Sequence, residues 1–301
     1  MLRSAGDDHD AWNHDHPASD ISDEQGGSRM RESSPLESIK IEVYPISDPP
    51  ESFGNEPWQR EVRAFRGEMI YDNGRLPQFR LENGEFSDAD EHDCHAYHIL
   101  GRLRSTGKLI ASARLAPVEL LSPSRVMAMD EAVAMRLLRS EGLRRSDVLE
   151  GARWIVDPRH RGRSIGKLLV VTGNVLARHL RRKMIWVGAI TAAGQDATLR
   201  RFGFREASPE EHVLPGVGDL VRLLACRPEE LLRHHPVLTA QITPIVTDAL
   251  ARVRLPGRPQ GEDAPAGTFS PQGEDAPAGA SGSQGGGVSK ALTDNTSVFQ
   301  E

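Results

Sequence analysis

The sequence predicts an α/β sandwich built on a mixed sheet, and three observations predict it. Apolar stretches with strand periodicity alternate with stretches of helical periodicity from Ile39 to Val253. A hairpin signal, Ser105-Thr106-Gly107-Lys108, separates two of the apolar runs. Residues 153–169 (Arg-Trp-Ile-Val-Asp-Pro-Arg-His-Arg-Gly-Arg-Ser-Ile-Gly-Lys-Leu-Leu) pass from an apolar run through a basic, glycine-containing turn into an amphipathic segment.

Taken in order, Ile39–Tyr44 alternates as a strand, with Ile39, Ile41 and Val43 on one face. Trp58–Tyr71 has helical spacing, with Val62, Phe65, Met69 and Ile70 apolar. Tyr97–Arg102 and Leu109–Leu115 are the hairpin strands, and Val126–Leu138 reads as a helix placed before the Arg153 strand. Ile165–Leu180 puts Leu168, Leu169, Thr172, Val175 and Leu176 on one face. Arg178, Arg181, Arg182 and Lys183 follow at its C-terminal end, where the helix dipole favours cations. Aromatic residues do not interleave that basic cluster, so it reads as a helix end rather than a nucleic-acid patch. Met184–Ile190 is a buried strand and leads to a polar helix ending at Leu199-Arg200-Arg201-Phe202-Gly203-Phe204. Asp219–Cys226 is the last strand, and Glu229–His235 and Ile242–Val253 are short helices.

Composition bounds the rest. The 301 residues carry a net charge of −6, distributed unevenly. Residues 1–36 hold eight acidic residues against three arginines, and residues 255–301 hold six acidic against two basic residues. The middle is therefore about +3, suited to an anionic cofactor or an acidic carrier protein rather than to a DNA backbone. Residues 1–36 are polar with little to bury and are expected to be disordered; His9, His14 and His16 there read as part of a solvated tail. Residues 255–301 repeat Pro259–Gly267 as Pro271–Gly279 and read as a low-complexity tail. Between the tails, residues 37–228 are expected to form the main domain and residues 229–254 its short C-terminal helices. No apolar run reaches the length of a membrane span, and the N-terminus lacks the apolar region of a signal peptide. Cys94 and Cys226 provide neither a disulfide framework nor a cysteine zinc site. The expected setting is cytoplasmic, with no metal and no nucleic-acid partner.

The stretch from Arg153 to Leu169 carries the strongest chemical signal. A strand, turn and helix leave backbone N–H groups without acceptors at a helix start, which is an anion site. Gly162 and Gly166 permit close approach of a phosphate, and Arg159, Arg161 and Arg163 add positive charge. The spacing from Gly162 to Gly166-Lys167-Leu168 excludes a P-loop, and no Gly-x-Gly-x-x-Gly dinucleotide fingerprint stands here. The stretch resembles the pyrophosphate loop of the GNAT N-acyltransferase superfamily, Arg/Gln-x-x-Gly-x-Gly/Ala. Arg161 matches the first position and Gly166 the last, while Ser164 replaces the middle glycine. The resemblance implies a three-layer sandwich with a central mixed, mostly antiparallel sheet flanked by helices. It also implies binding of coenzyme A or phosphopantetheine phosphates by the backbone of Arg161, Gly162, Arg163, Ser164, Ile165 and Gly166. A backbone N–H from Ile155 or Val156 would then polarise the thioester carbonyl. The tyrosine that many members carry four residues before the Gly203-Phe204 pair is replaced by Leu199.

A second group of residues resembles the acyl-homoserine-lactone synthases and the long-chain N-acyl amino acid synthases. Asp90-x-x-Asp93 precedes a strand, Arg114-Leu115-x-Pro117 ends the next, and Glu150-x-x-Arg153-Trp154 lies on the strand before the loop. Arg66 matches the arginine of the N-terminal helix pattern, whereas Ala152 replaces a usual serine. An amine nucleophile must lose a proton, and Glu150, a carboxylate on the strand beside the thioester, is the candidate base. Arg66, Asp90, Asp93, Arg114 and Arg153 are the candidate substrate-binding residues, with Arg153 and Arg114 able to hold a substrate carboxylate or to order the two aspartates. Alternatively, these side chains form a buried ion-pair lattice with no catalytic part. Direct transfer in this superfamily needs no acyl-enzyme, so Cys94 beside His95 and His98 is not taken as a nucleophile. The expected function is transfer of an acyl group from acyl-coenzyme A or an acyl carrier protein to the amine of a small molecule such as an amino acid. An acetyl-coenzyme A N-acetyltransferase and a non-catalytic acyl-thioester sensor stand as alternatives.

Overall fold

A computed structural model describes residues 35–47, 49–72, 76–214 and 218–252. The expectations for the tails fall almost wholly outside these residues. Pro35 and Leu36, grouped with the N-terminal tail by composition, instead open the short helix α1 (Pro35–Ser38).

The chain then alternates as the pattern predicts. Strand β1 (Ile39–Tyr44) is followed by helix α2 (Pro57–Asp72), and the hairpin by β2 (Tyr97–Leu103) and β3 (Leu109–Pro117). Two helices, α3 (Arg125–Met129) and α4 (Glu131–Ser140), precede β4 (Val148–Val156). Helix α5 (Ile165–His179), β5 (Met184–Ile190), α6 (Gln195–Arg201), β6 (Arg205–Val213) and β7 (Leu220–Cys226) complete the sheet layer. Helices α7 (Pro228–Arg233) and α8 (Pro236–Ala251) follow. The strand order is β1-β2-β3-β4-β5-β7-β6, and every neighbouring pair is antiparallel except β4 with β5. This is the α/β sandwich with a central mixed, mostly antiparallel sheet that the sequence predicts.

Two expectations need correction. Val126–Leu138 is not one helix, because Asp130 is extended (φ −159°, ψ 96°) and its carboxylate accepts from the Val133 N–H at 2.9 Å, capping a second helix. Strand β6 escaped the pattern altogether. It lies at the sheet edge with most side chains exposed, and its register shifts between Glu206 and Glu211 around Pro209. An edge strand with a bulge and charged side chains has no apolar alternation to detect.

The apolar periodicity determines what covers the sheet. Ile41, Ile99, Leu149 and Val187 meet Leu168, Leu169 and Val175 of α5, and α8 adds Ile242 and Val246 to the same core. On the other face, α2 buries Val62, Phe65 and Met69 against Leu100 and Leu109. Further along that face, α3 and α4 bury Val126, Met127 and Val133 against Trp186 and Leu223. The basic cluster after α5 is engaged in local pairs. Arg182 lies 2.7 Å from Glu119, Lys183 lies 3.1 Å from Asp147, and Arg178 donates to Thr243 at 3.3 Å.

Helix α2 and the segment after residue 86 approach each other at Gly67. A Cβ there would stand 2.7 Å from the Ser87 nitrogen and 3.1 Å from that of Asp88. Backbone cannot retreat as a side chain can, and the Asp88 N–H already donates to the Arg63 carbonyl at 3.0 Å. Gly67→Ala is therefore expected to cost about 1–3 kcal/mol as an overpacking change. The urea midpoint would measure it, and an unchanged midpoint would refute the close approach.

Candidate functional site

The site lies where β3, β4, α2 and α3 surround residues 88–93. Asp88, Asp90 and Asp93 are buried at 0 %, 7 % and 0 % exposure, so their charges require partners. Arg66 of α2 forks onto Asp93, with Nη1 at 3.0 Å from Oδ1 and Nη2 at 2.5 Å from Oδ2, and its Nε lies 3.0 Å from Asp88. Arg114 of β3 reaches Asp93 at 2.9 Å and Asp90 at 3.0 Å through the same Nη1. Arg153 of β4 forks onto Asp88 at 2.6 and 2.8 Å and reaches Asp90 at 3.0 Å. Arg125, the first residue of α3, pairs with Asp90, and Arg63 lies 3.6 Å from Asp93.

The five residues expected to bind substrate, Arg66, Asp90, Asp93, Arg114 and Arg153, are thus brought into one lattice. Asp88, Arg125 and Arg63 belong to it and were not anticipated. Asp88 was detectable as the residue two before Asp90 in an extended segment. Arg125 and Arg63 carry no pattern that separates them from surface arginines.

Glu150 stands at the edge of this lattice. It is 3 % exposed, and its two oxygens accept from the backbone N–H groups of Arg125 (3.1 Å) and Val126 (3.0 Å). The carboxylate therefore also clamps the start of α3, a task the sequence did not suggest. Cys94 donates its S–H to the Glu91 carbonyl at 3.2 Å, and burial pushes its thiol pKa up. Both features leave it a poor nucleophile.

Electrostatics follow from the geometry. Burial pushes the Asp93 carboxyl up, but Arg66 and Arg114 outweigh it and hold the pKa at about 2. Burial likewise opposes ionisation of Asp90, and Arg114, Arg153 and Arg125 together hold it well below the carboxylate range. Burial pushes the Arg153 guanidinium below its ordinary value, Asp88 and Asp90 oppose that only in part, and Arg114 and Arg125 push in the same direction as burial.

Strand β4 links the lattice to the loop. Its pairing with β5 runs only from Val148↔Met184 to Gly151↔Val187, so the strands part beyond that point. The register against β3 shifts between Ser112 and Arg114, where Arg153 adopts φ +55°, the extra residue of a β-bulge. Past the bulge the Asp157 N–H donates to the Ile110 carbonyl at 2.9 Å. Antiparallel alternation then turns Ile155 toward Ser112 and Val156 away from β3, into the gap. Of the two N–H donors expected, Val156 alone faces the opening. The Ile155 N–H is committed to the sheet.

The turn and loop take shape from local chemistry. Asp157 accepts from the Arg159 N–H at 2.9 Å, ending the strand in an Asx turn at Pro158. Gly162 has φ +78°, and Ser164 has φ +58°, ψ 13° at the cap of α5. The left-handed conformation explains why the superfamily pattern prefers glycine where this chain has serine. The first intrahelical bond of α5 runs from Leu168 N–H to the Ser164 carbonyl, which leaves the N–H groups of Ile165, Gly166 and Lys167 without a helical acceptor. A Cβ at Gly162 or Gly166 would meet no protein atom within 4 Å. The loop thus leaves room where a phosphate would lie, and Arg161 and Arg163 stand exposed beside it. These residues fit a pyrophosphate.

The family model described as Acetyltransferase (GNAT) domain matches residues 63–171. No curated protein matches the chain. Among solved structures, the CoA-dependent acyl-homoserine lactone synthase MesI is 17 % identical with a TM-score of 0.44, over 66 % of this chain and 96 % of its own. TofI, solved with an inhibitor and MTA, is 15 % identical with a TM-score of 0.47, over 67 % of this chain and 98 % of its own. BjaI, a CoA-dependent acyl-homoserine lactone synthase solved with SAM and isopentyl-CoA, is 15 % identical with a TM-score of 0.46, over 71 % of this chain and 99 % of its own. No helix among the described residues is long and apolar enough to cross a membrane.

The lattice also predicts a pH response. His98 is fully buried, its Nε2 lies 2.9 Å from the Asp93 carbonyl, and its ring stacks on Phe53 at 5.1 Å. Burial pushes its pKa down to about 4. An unfolded histidine takes its proton near pH 6.5, so the unfolded state binds more protons between about 6.5 and 4. Stability is then full above pH 6.5 and falls by roughly 2–3 kcal/mol as the pH drops toward 4. Asp93 adds a separate loss between about 4 and 2. Denaturant titrations at graded pH should show the upper window flattened in His98→Gln, and equal slopes in both proteins would remove the assignment.

Proposed function

We propose an acyltransferase that moves an acyl group from a coenzyme A or carrier-protein thioester to the amine of a small molecule that also bears a carboxylate. The observation that carries the proposal is the continuity of β4. It offers an open backbone donor at Val156, ends in a phosphate-shaped loop at residues 161–166, and presents Arg153 within the same strand.

The chain's residues divide the work. The α5 amides and Arg161 and Arg163 hold the donor's phosphates. The Val156 N–H lies along the gap and stabilises the oxyanion that forms when the amine nitrogen attacks the thioester carbon. The C–N bond forms, the C–S bond breaks, and the thiolate leaves. Glu150 accepts the amine proton through the lone pairs its two backbone bonds leave free. Arg153, 15 % exposed at its side chain, with Arg125, 28 % exposed, beside it, holds the acceptor's carboxylate. Arg114 was expected to share that task. Its side chain is 1 % exposed and its Nη1 is already committed to two aspartates, so it positions them instead. The acceptor class is then an amino acid or a related amine. The slightly basic character between the tails suits either donor.

The test supplies acetyl-coenzyme A and a long-chain acyl carrier protein separately, with pooled amino acids and amines, and searches for amides by mass spectrometry. An N-acyl amino acid is the expected product. Gly166→Val should fill the space over the loop and raise the donor KM at least tenfold. Arg153→Ala should raise the acceptor KM by a similar factor, the scale of one lost charge-assisted pair. Acylation of amines that lack a carboxylate, with acceptor KM indifferent to Arg153, would overturn the acceptor assignment. Tight donor binding without any amide would overturn the enzyme reading.

A further inference from the structure

Strand β5 is central in the sheet, and six of its seven residues are buried. The exception is Gly188, which is open to solvent between buried Val187 and Ala189. It is also the first residue of β5 past the last pair with β4, Gly151↔Val187. Ile185, Val187 and Ala189 belong to the core under α5, while Met184 and Trp186 belong to the core under α3 and α4. Alternation along the strand therefore turns Gly188 to the α3 side.

The two faces differ in what fills them at this level. Toward α5, a Cβ on Gly151 would stand 2.8 Å from Cγ1 of the buried, branched Val187. Toward α3, where Gly188 is open to solvent, a Cβ on Gly188 would meet the flexible thioether of Met129, at 2.9 Å from Cε and 3.4 Å from Sδ. Met129 is the last residue of α3 and only half-buried, and α3 is itself pinned by Glu150. A group that enters the gap beside Val156 and extends beyond it meets, on the α3 side, a glycine floor and the movable end of one methionine. Methionine has three rotatable bonds and packs softly, which suits a boundary that limits length without a fixed shape.

We propose that Met129, standing over Gly188 where β4 and β5 part, sets the length of acyl group this protein accepts. The inference rests on the acyl-transfer reading above and adds to it a determinant of donor specificity. Shortening residue 129 opens the space beyond the gap. Adding a methyl at residue 188 narrows it.

The experiment measures kcat/KM for a series of straight-chain acyl-coenzyme A donors from acetyl to dodecanoyl, by release of free thiol with pooled amino acids as acceptors. Wild type, Met129→Ala and Gly188→Ala are compared, each checked for folding by its denaturation midpoint. Met129→Ala should raise the ratio of long-chain to short-chain kcat/KM about tenfold or more, the scale of one or two methylenes in an apolar pocket. Gly188→Ala should move the ratio the opposite way. A substitution that merely loosens the fold would depress all donors together and leave the ratio as it was. Ratios unmoved in both variants, with wild type active, would overturn the proposal while the acyl-transfer reading stands. Absence of thiol release from every donor, including the same chains on a carrier protein, would overturn both.

Discussion

Three aspartates in six residues, Asp88, Asp90 and Asp93, draw guanidinium groups from α2, β3, β4 and α3 into one buried lattice. Such pairs bring little net stability, because taking the ions from water costs about as much as their attraction returns. Their consequence is positional. Residues 88–95 hold only a short 3-10 helix from Glu91 to His95, and the charges pin the segment to the elements around it. Arg66, Arg114 and Arg153 each reach two of the three carboxylates, so the four surrounding elements are held in a common frame by shared charges.

Strand β4 connects that frame to the loop. The bulge at Arg153 consumes one residue of register, and two consequences follow from it. The guanidinium of Arg153 reaches Asp88 and Asp90, and the strand past the bulge presents Val156 to the gap that opens beside β5. Three residues earlier on the same strand, Glu150 fixes the beginning of α3, and the end of α3 places Met129 over Gly188. The loop after β4, the charged lattice and the proposed acyl boundary are therefore coupled through nine residues of one strand.

The sequence disclosed the parts of this arrangement that depend on local order. Periodicity located the strands and helices of the core, because each buries one face against a neighbour and the burial repeats at 2.0 or 3.6 residues. The loop was legible because a turn that must present amides to an anion needs glycine, an N-terminal helix and positive charge in close succession. Asp90, Asp93, Arg114, Arg153 and Glu150 were legible because they stand in short spaced patterns.

What only the tertiary structure decided concerns contacts between segments distant in the chain. Asp88 and Arg125 join the lattice across 37 residues, and no spacing rule relates two side chains that meet from a loop and a helix. Arg114 and Arg153 look alike in sequence. Their neighbours seal one at 1 % side-chain exposure and leave the other at 15 %. The division of Val126–Leu138 at Asp130, the edge strand β6 and the glycine beneath Met129 were likewise hidden. By itself the sequence determined the elements, the loop and the charges available, because these follow from neighbours along the backbone. Which charges pair, which amide faces the gap and which side chain closes it were decided by packing across the sheet, because electrostatic and steric complementarity act through space.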